Sequence, residues 1–153
     1  MSRKRDCVAV KGFTRLQIIN KKTKKIEGDS GWHQNQITNY GWNSCIVALP
    51  MKAAGSIQAT GILLGSGSVP ASSATALPLS HTAYWSAFAY SSVIDSKTAR
   101  MSVSFDGTLG AVTLSNIGIF GASTGTLLAG ITYASSALAT DQDVNCTYEL
   151  RYS

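Results

Sequence analysis

From Val144 onward every second residue is apolar: Val144, Cys146, Tyr148, Leu150 and Tyr152 alternate with Asn145, Thr147, Glu149 and Arg151. A period of two matches the pleat of a β-strand and not the turn of a helix. The segment therefore reads as an antiparallel strand with one face on a core and the other toward solvent. The same alternation occurs upstream, where Met101, Val103 and Phe105 oppose Ser102 and Ser104. Asp106-Gly107 follows as a tight-turn signal, with Val112 to Phe120 as the returning strand. Gly121 to Gly125 turns again, and Thr126 to Tyr133 supplies another strand.

The first half of the chain is read the same way. Phe13 to Asn20 is a strand, NKKTKK a turn, and Ile26 the start of a short return toward Gly28 and Asp29. Ile57 to Leu64 is a short apolar strand ending in Gly65-Ser66-Gly67-Ser68 and a Pro70-Ala-Ser-Ser loop. Tyr84 to Ile94, with Tyr84, Trp85, Phe88 and Tyr90, reads as a strand partly covered on both faces. One stretch differs. Within Trp32 to Leu49, Trp42, Cys45, Ile46 and Leu49 recur at spacings of three and four, Asn39 is placed to cap a first turn beginning at Tyr40, and Pro50 stops the helix. About eight strands with one helix give a mainly β chain: an antiparallel β-sandwich of jelly-roll kind with one short helix and an extended basic N-terminal arm. The expected division is an arm over residues 1–12 and a single sandwich domain over 13–153, a length that needs only one core.

Composition bears on what surrounds such a sandwich. The chain is 44% apolar but only 14% charged, against about 25% in an average protein. Ser, Thr, Ala and Gly take the place of charge, as in subunits covered by other copies. Charge is also unevenly placed. Residues 1–25 hold nine basic residues against Asp6 alone, a net +8, whereas residues 26–153 hold Lys52, Lys97, Arg100 and Arg151 against seven acids, a net −3. A basic arm suits nucleic acid or an acidic protein surface. Lys21, Lys22, Lys24 and Lys25 also read as a solvated hairpin tip that guards a sheet edge, and Arg3 to Arg5 as a frayed terminus.

Catalytic chemistry has no constellation to stand on. His33 and His81 lie in different segments without a motif around either, and the acids are scattered singly. The Gly65-Ser-Gly67 pair lacks the third glycine and following helix of a dinucleotide fingerprint. Cys7, Cys45 and Cys146 are odd in number and widely spaced, so they form neither a disulfide framework nor a zinc set; Cys45 and Cys146 read as small buried thiols. No cofactor or metal is expected. The Arg3 to Arg5 cluster is followed by CVAVKGF, whose lysine interrupts the apolar run a signal peptide needs, and no run reaches the ~18 apolar residues of a membrane span.

Several short motifs recur in a definite order: Gly31-Trp32, Asn35, Ile37-Thr38-Asn39 and Gly41, then Leu63-Leu64-Gly65-Ser66-Gly67, the Pro70 loop leading to Leu77, Ile117-Gly118-Ile119-Phe120, Gly125-Thr126-Leu127-Leu128-Ala129, and a closing strand after Asp143. In this order, over nearly the whole chain, the sequence resembles a widespread family of small structural proteins of tailed bacteriophages. Members of that kind often carry an acid just before the Gly-Ile-Phe type turn, where this chain has Ser115 and Asn116, so no binding residue is carried over. The resemblance implies a non-enzymatic virion component, assembled in host cytoplasm. The expected role is capsid decoration by a homo-oligomer, most simply a trimer, bound to the major capsid protein. A neck, tail, baseplate or fibre position is the alternative. Arg3, Lys4, Arg5, Lys11 and Arg15 are the expected partner-binding residues. A host-glycan module using Trp32, Tyr84 or Trp85 is a further alternative. Packaged nucleic acid ranks last, because the arm has no aromatic but Phe13 to stack on bases.

Overall fold

Two antiparallel sheets face each other across one main core. The computed structural model describes residues 9–43, 59–107, 112–121 and 126–153. The first sheet contains β1 (Val10–Asn20), β2 (Ile26–Asp29), β3 (His33–Gln34), β7 (Tyr90–Asp95), β8 (Thr98–Asp106) and β11 (Gln142–Tyr152), in the order β2-β1-β11-β8-β7 with β3 also on β1. The second contains β4 (Gln36–Ile37), β5 (Ala59–Gly65), β6 (Ser80–Ala87), β9 (Thr113–Gly121) and β10 (Thr126–Ala137), in the order β4-β10-β9-β5-β6. The chain is a β-sandwich with one short helix, α1 (Asn39–Gly41). Its pairs nest: β1 with β11, β4 with β10, β5 with β9, and β7 with β8. The fold is thus a long hairpin doubled over on itself, as in a jelly roll, with β9 and β10 additionally paired to each other.

The alternation of the last strand does what its period requires. Val144, Cys146 and Tyr148 point inward beside Val103 and Phe105 of β8 and Leu16 and Ile18 of β1, and they meet Ile62, Leu64, Ile117, Ile119 and Tyr84 from the second sheet. The second sheet is covered on both faces. The loop after β5 folds back over its outer side, where Leu77 joins Leu63, Phe120 and Leu127 in a satellite cluster. Asn116 holds that loop by donating to the carbonyls of Ser68 and Pro78. Double coverage explains why Gly61–Gly65 and Leu127–Gly130 are buried without alternation.

Several expectations change. Strand β1 begins at Val10, so Val10 to Gly12 belong to the sandwich and not to an arm; residues 1–8, with Arg3, Lys4, Arg5 and Cys7, lie outside the described residues. The segment from Trp32 to Ile37 is not helical, since β3 joins the first sheet and β4 the second, carrying the chain between layers. The helix starts one residue earlier than expected. Its cap is Thr38, whose hydroxyl accepts from the Gly41 amide and also lies 2.7 Å from the Leu127 carbonyl. Gly41 sits where an added Cβ would strike the Leu128 carbonyl. Trp42 is exposed, whereas Cys45, Ile46, Leu49 and Pro50 lie outside the described residues. Tyr84 to Ile94 is two strands in different sheets, joined at Phe88 and Ala89. Asp106-Gly107 likewise does not close a hairpin, because β8 and β9 belong to opposite layers.

Candidate functional site

The outer face of the first sheet carries the strongest cluster of interacting side chains. Register places Phe13, Glu149 and Arg100 side by side on β1, β11 and β8, and Lys11, Arg151 and Thr98 side by side in the next row but one. Glu149 stands on the face that alternation assigns to solvent, yet it is only 2% exposed. Two guanidiniums cover it. Arg100 donates from Nε to Glu149 Oε1 at 2.7 Å, and Arg151 donates from Nε to Oε2 at 2.8 Å and from a terminal nitrogen at 2.6 Å. Burial pushes the Glu149 carboxyl up, but the hydrogen bonds from Arg100 and Arg151 outweigh it, and the group ends below its ordinary value.

Aromatic rings complete the cluster. The Arg151 guanidinium lies 4.2 Å from the Phe13 ring centre and 5.3 Å from that of Trp32, and Arg100 lies 5.8 Å from Trp32. These distances are within cation–π range. The carboxylate, two cations and two rings therefore hold one another in fixed positions. Beside them a groove of about 450 Å³ runs along the start of β1, the end of β11 and the turn between β7 and β8, lined by Lys11, Asp95, Lys97, Thr98, Arg151 and Tyr152 among others. The backbone closes this end of the sandwich through reciprocal hydrogen bonds between Ala9 and Ser153.

The residues expected to bind partners divide. Lys11 is exposed on the groove. Arg15 is instead engaged by Asp29 across the β1–β2 pair, with Nε to Oδ1 at 2.9 Å and a second close contact to Oδ2. Together with the Gly31 amide and Gln17, Arg15 holds the Asp29 carboxyl well below the usual range. Lys21 is paired with Asp106 and Asp143, whereas Lys22, Lys24 and Lys25 are exposed at the tip. The aromatic trio separates too. Trp32 belongs to the cluster, but Tyr84 is 1% exposed in the core and is no surface residue, and Trp85 packs edge-on against Phe120. Glu149, Arg100 and Arg151 were not singled out from sequence. Only the odd position of a carboxylate between arginine-bearing strands marks them, and that needs the register.

A serine and a histidine also meet. Ser66 Oγ is 2.5 Å from His81 Nε2 and donates to the Thr113 carbonyl. With its proton on a carbonyl, the hydroxyl accepts from the imidazole, the reverse of what a general base activating a nucleophile requires. The pair ties the ends of β5, β6 and β9 together. No group of three or more His, Cys, Asp or Glu placed to hold a metal ion occurs among the described residues. No helix among them is long and apolar enough to cross a membrane. Compared with protein-family models, curated proteins and solved structures, the chain matched none.

Proposed function

We propose that the protein is a non-enzymatic structural subunit of a tailed-bacteriophage particle, a capsid decoration protein that docks onto an acidic lattice through the basic end of its sandwich. One observation carries this reading: the Ala9–Ser153 hydrogen bonds start the described chain beside Lys11, Lys97 and Arg151. Lys11, Lys97 and Arg151 thus stand together at the end where residue 9 enters the sandwich, whereas Lys22, Lys24 and Lys25 lie at the far end of β1. Positive charge concentrated there steers association with an acidic surface. The low charge elsewhere suits a subunit that assembles with further copies, for which a trimer is the simplest closed arrangement. The order of sequence motifs described above supplies the phage context.

Copy number tests the reading directly. Quantitative mass spectrometry of purified virions against the major capsid protein is expected to find hundreds of copies in a fixed ratio. A dozen or fewer would replace decoration with a neck, tail or fibre position, and none would overturn a virion role. Removing residues 2–8 is expected to abolish binding to empty capsids while the oligomer persists. The glycan alternative loses weight with Tyr84 in the core and Trp32 already occupied by two guanidiniums.

A further inference from the structure

We infer that the groove at the β1–β11 end binds an extended acidic peptide segment of a partner protein, an inference that rests on the docking role proposed above and names the site that would serve it. Lys11 and Arg151 are direct register partners, Arg151 in turn pairs with Thr98, and Lys97 is the next residue in the turn. The three cations therefore lie across β1, β11 and the turn that leads into β8. At ~4.8 Å per strand the row is about 10 Å long, which is the span of three residues of an extended chain. The surrounding charges, Lys11, Lys97, Arg100 and Arg151 against Asp95 and Glu149, leave a net +2. Asp95 is turned toward the backbone, where its Oδ1 accepts from the Lys97 amide at 2.7 Å.

The three cations differ in kind. Arg151 is held by Glu149 and stacked on Phe13, so its position is set before any ligand arrives. Lys11 and Lys97 are exposed and lie on either side as flexible point charges. A rigid guanidinium between two mobile ammoniums fits successive carboxylates on a peptide. A nucleic acid or a sugar would need an open aromatic face. Of the groove's two rings, Phe13 has the Arg151 guanidinium over it, which leaves no pair of open faces on which successive bases would stack.

The test is fluorescence anisotropy of a fluorescein-labelled hexaglutamate peptide with the full-length protein at low ionic strength. Saturable binding is expected, weakened about tenfold by combined Lys11→Glu and Lys97→Glu substitution, which exchanges two exposed attractive pairs for two repulsive ones. Both lysines are exposed, so an unchanged circular dichroism spectrum will show that the variant is folded. Undiminished peptide binding by the variant overturns the groove. So does tighter binding of a hyaluronate oligosaccharide than of the peptide. The two readings fail separately: if the doubly substituted protein still binds empty capsids and a chain lacking residues 2–8 does not, docking stands and the groove falls. If the wild-type protein binds neither peptide nor capsid, both fall.

Discussion

Replacing Arg100 and Arg151 together by alanine tests the account of the outer face most severely. The Glu149 side chain is 3% exposed, whereas the arginines are 39% and 40% exposed. The carboxylate is therefore the member that the two arginines shield from water. Either single alanine variant leaves Glu149 one guanidinium and loses charge-assisted hydrogen bonds worth about 2 kcal/mol. The double variant removes both partners and with them the carboxylate's cover, so Glu149 regains water and the cost is that of the lost bonds from both arginines, about 4 kcal/mol at neutral pH. For a chain of this size that corresponds to a loss of about 10–15 °C in Tm.

The dependence on pH distinguishes this mechanism from simple loss of packing. In the wild type Glu149 lies below its ordinary value, so the stabilisation from its arginines is complete above the ordinary carboxylate range and is lost as pH falls through the folded-state value. In the double variant those bonds are gone and the carboxyl returns toward its ordinary value, so the wild type's advantage fades as pH falls. The stability difference between wild type and variant should therefore shrink steadily from pH ~7 to ~4. Asp29 titrates equally in both proteins and cancels. Urea unfolding monitored by circular dichroism across this range measures the difference. A difference that stays flat or grows toward acid would refute the reasoning, as would single variants that each cost as much as the double.

Three further outcomes are expected. Cys146 has no exposed surface and its thiol is pushed up by burial, so in a Cys7→Ser, Cys45→Ser background it should resist a thiol reagent at pH ~8 until urea unfolds the chain, and prompt labelling of the native protein would contradict its place in the core. Thr38→Val keeps the shape of the cap but removes its hydroxyl; a loss of about 1–2 kcal/mol is expected, and a neutral result in thermal unfolding would show that the cap contributes nothing. Asn116→Leu removes both bonds to the loop after β5; limited proteolysis should then cut within 66–79 several times faster, and an unchanged rate would mean that Leu77 and the bonds to Gly67, Ser72 and Thr75 hold the loop without Asn116.

Local pattern revealed the strands and little of their arrangement. β11 and β8 were legible because each has one wet and one dry face, which imprints a period of two. The second sheet has no such imprint, since the loop bearing Leu77 dries its outer face as well. Trp32 to Ile37, just before the helix, was illegible for a related reason. Spacings of three and four among Trp42, Cys45, Ile46 and Leu49 suggested a helix, while the pairing of His33 and Gln36 with strands far away in sequence had no local signature. The same holds for the outer-face cluster. Glu149, Arg100 and Trp32 are separated by dozens of residues, and only strand register puts them together.

The nested pairing also dictates when the molecule can fold. β1 is among the first strands to leave the ribosome, yet its full-length partner is the last, and β4 and β5 wait in turn for β10 and β9. The second sheet cannot be completed until residue 137 has been made and the first not until residue 152, so the growing chain must carry Leu16, Ile18 and Ile62 without their final cover. Folding is then a late, concerted event dominated by contacts between distant parts of the sequence, which places the protein among slow folders. A nascent chain of this kind is most at risk of wrong pairing along β1, and the lysines at the β1–β2 tip stand where they discourage it during synthesis.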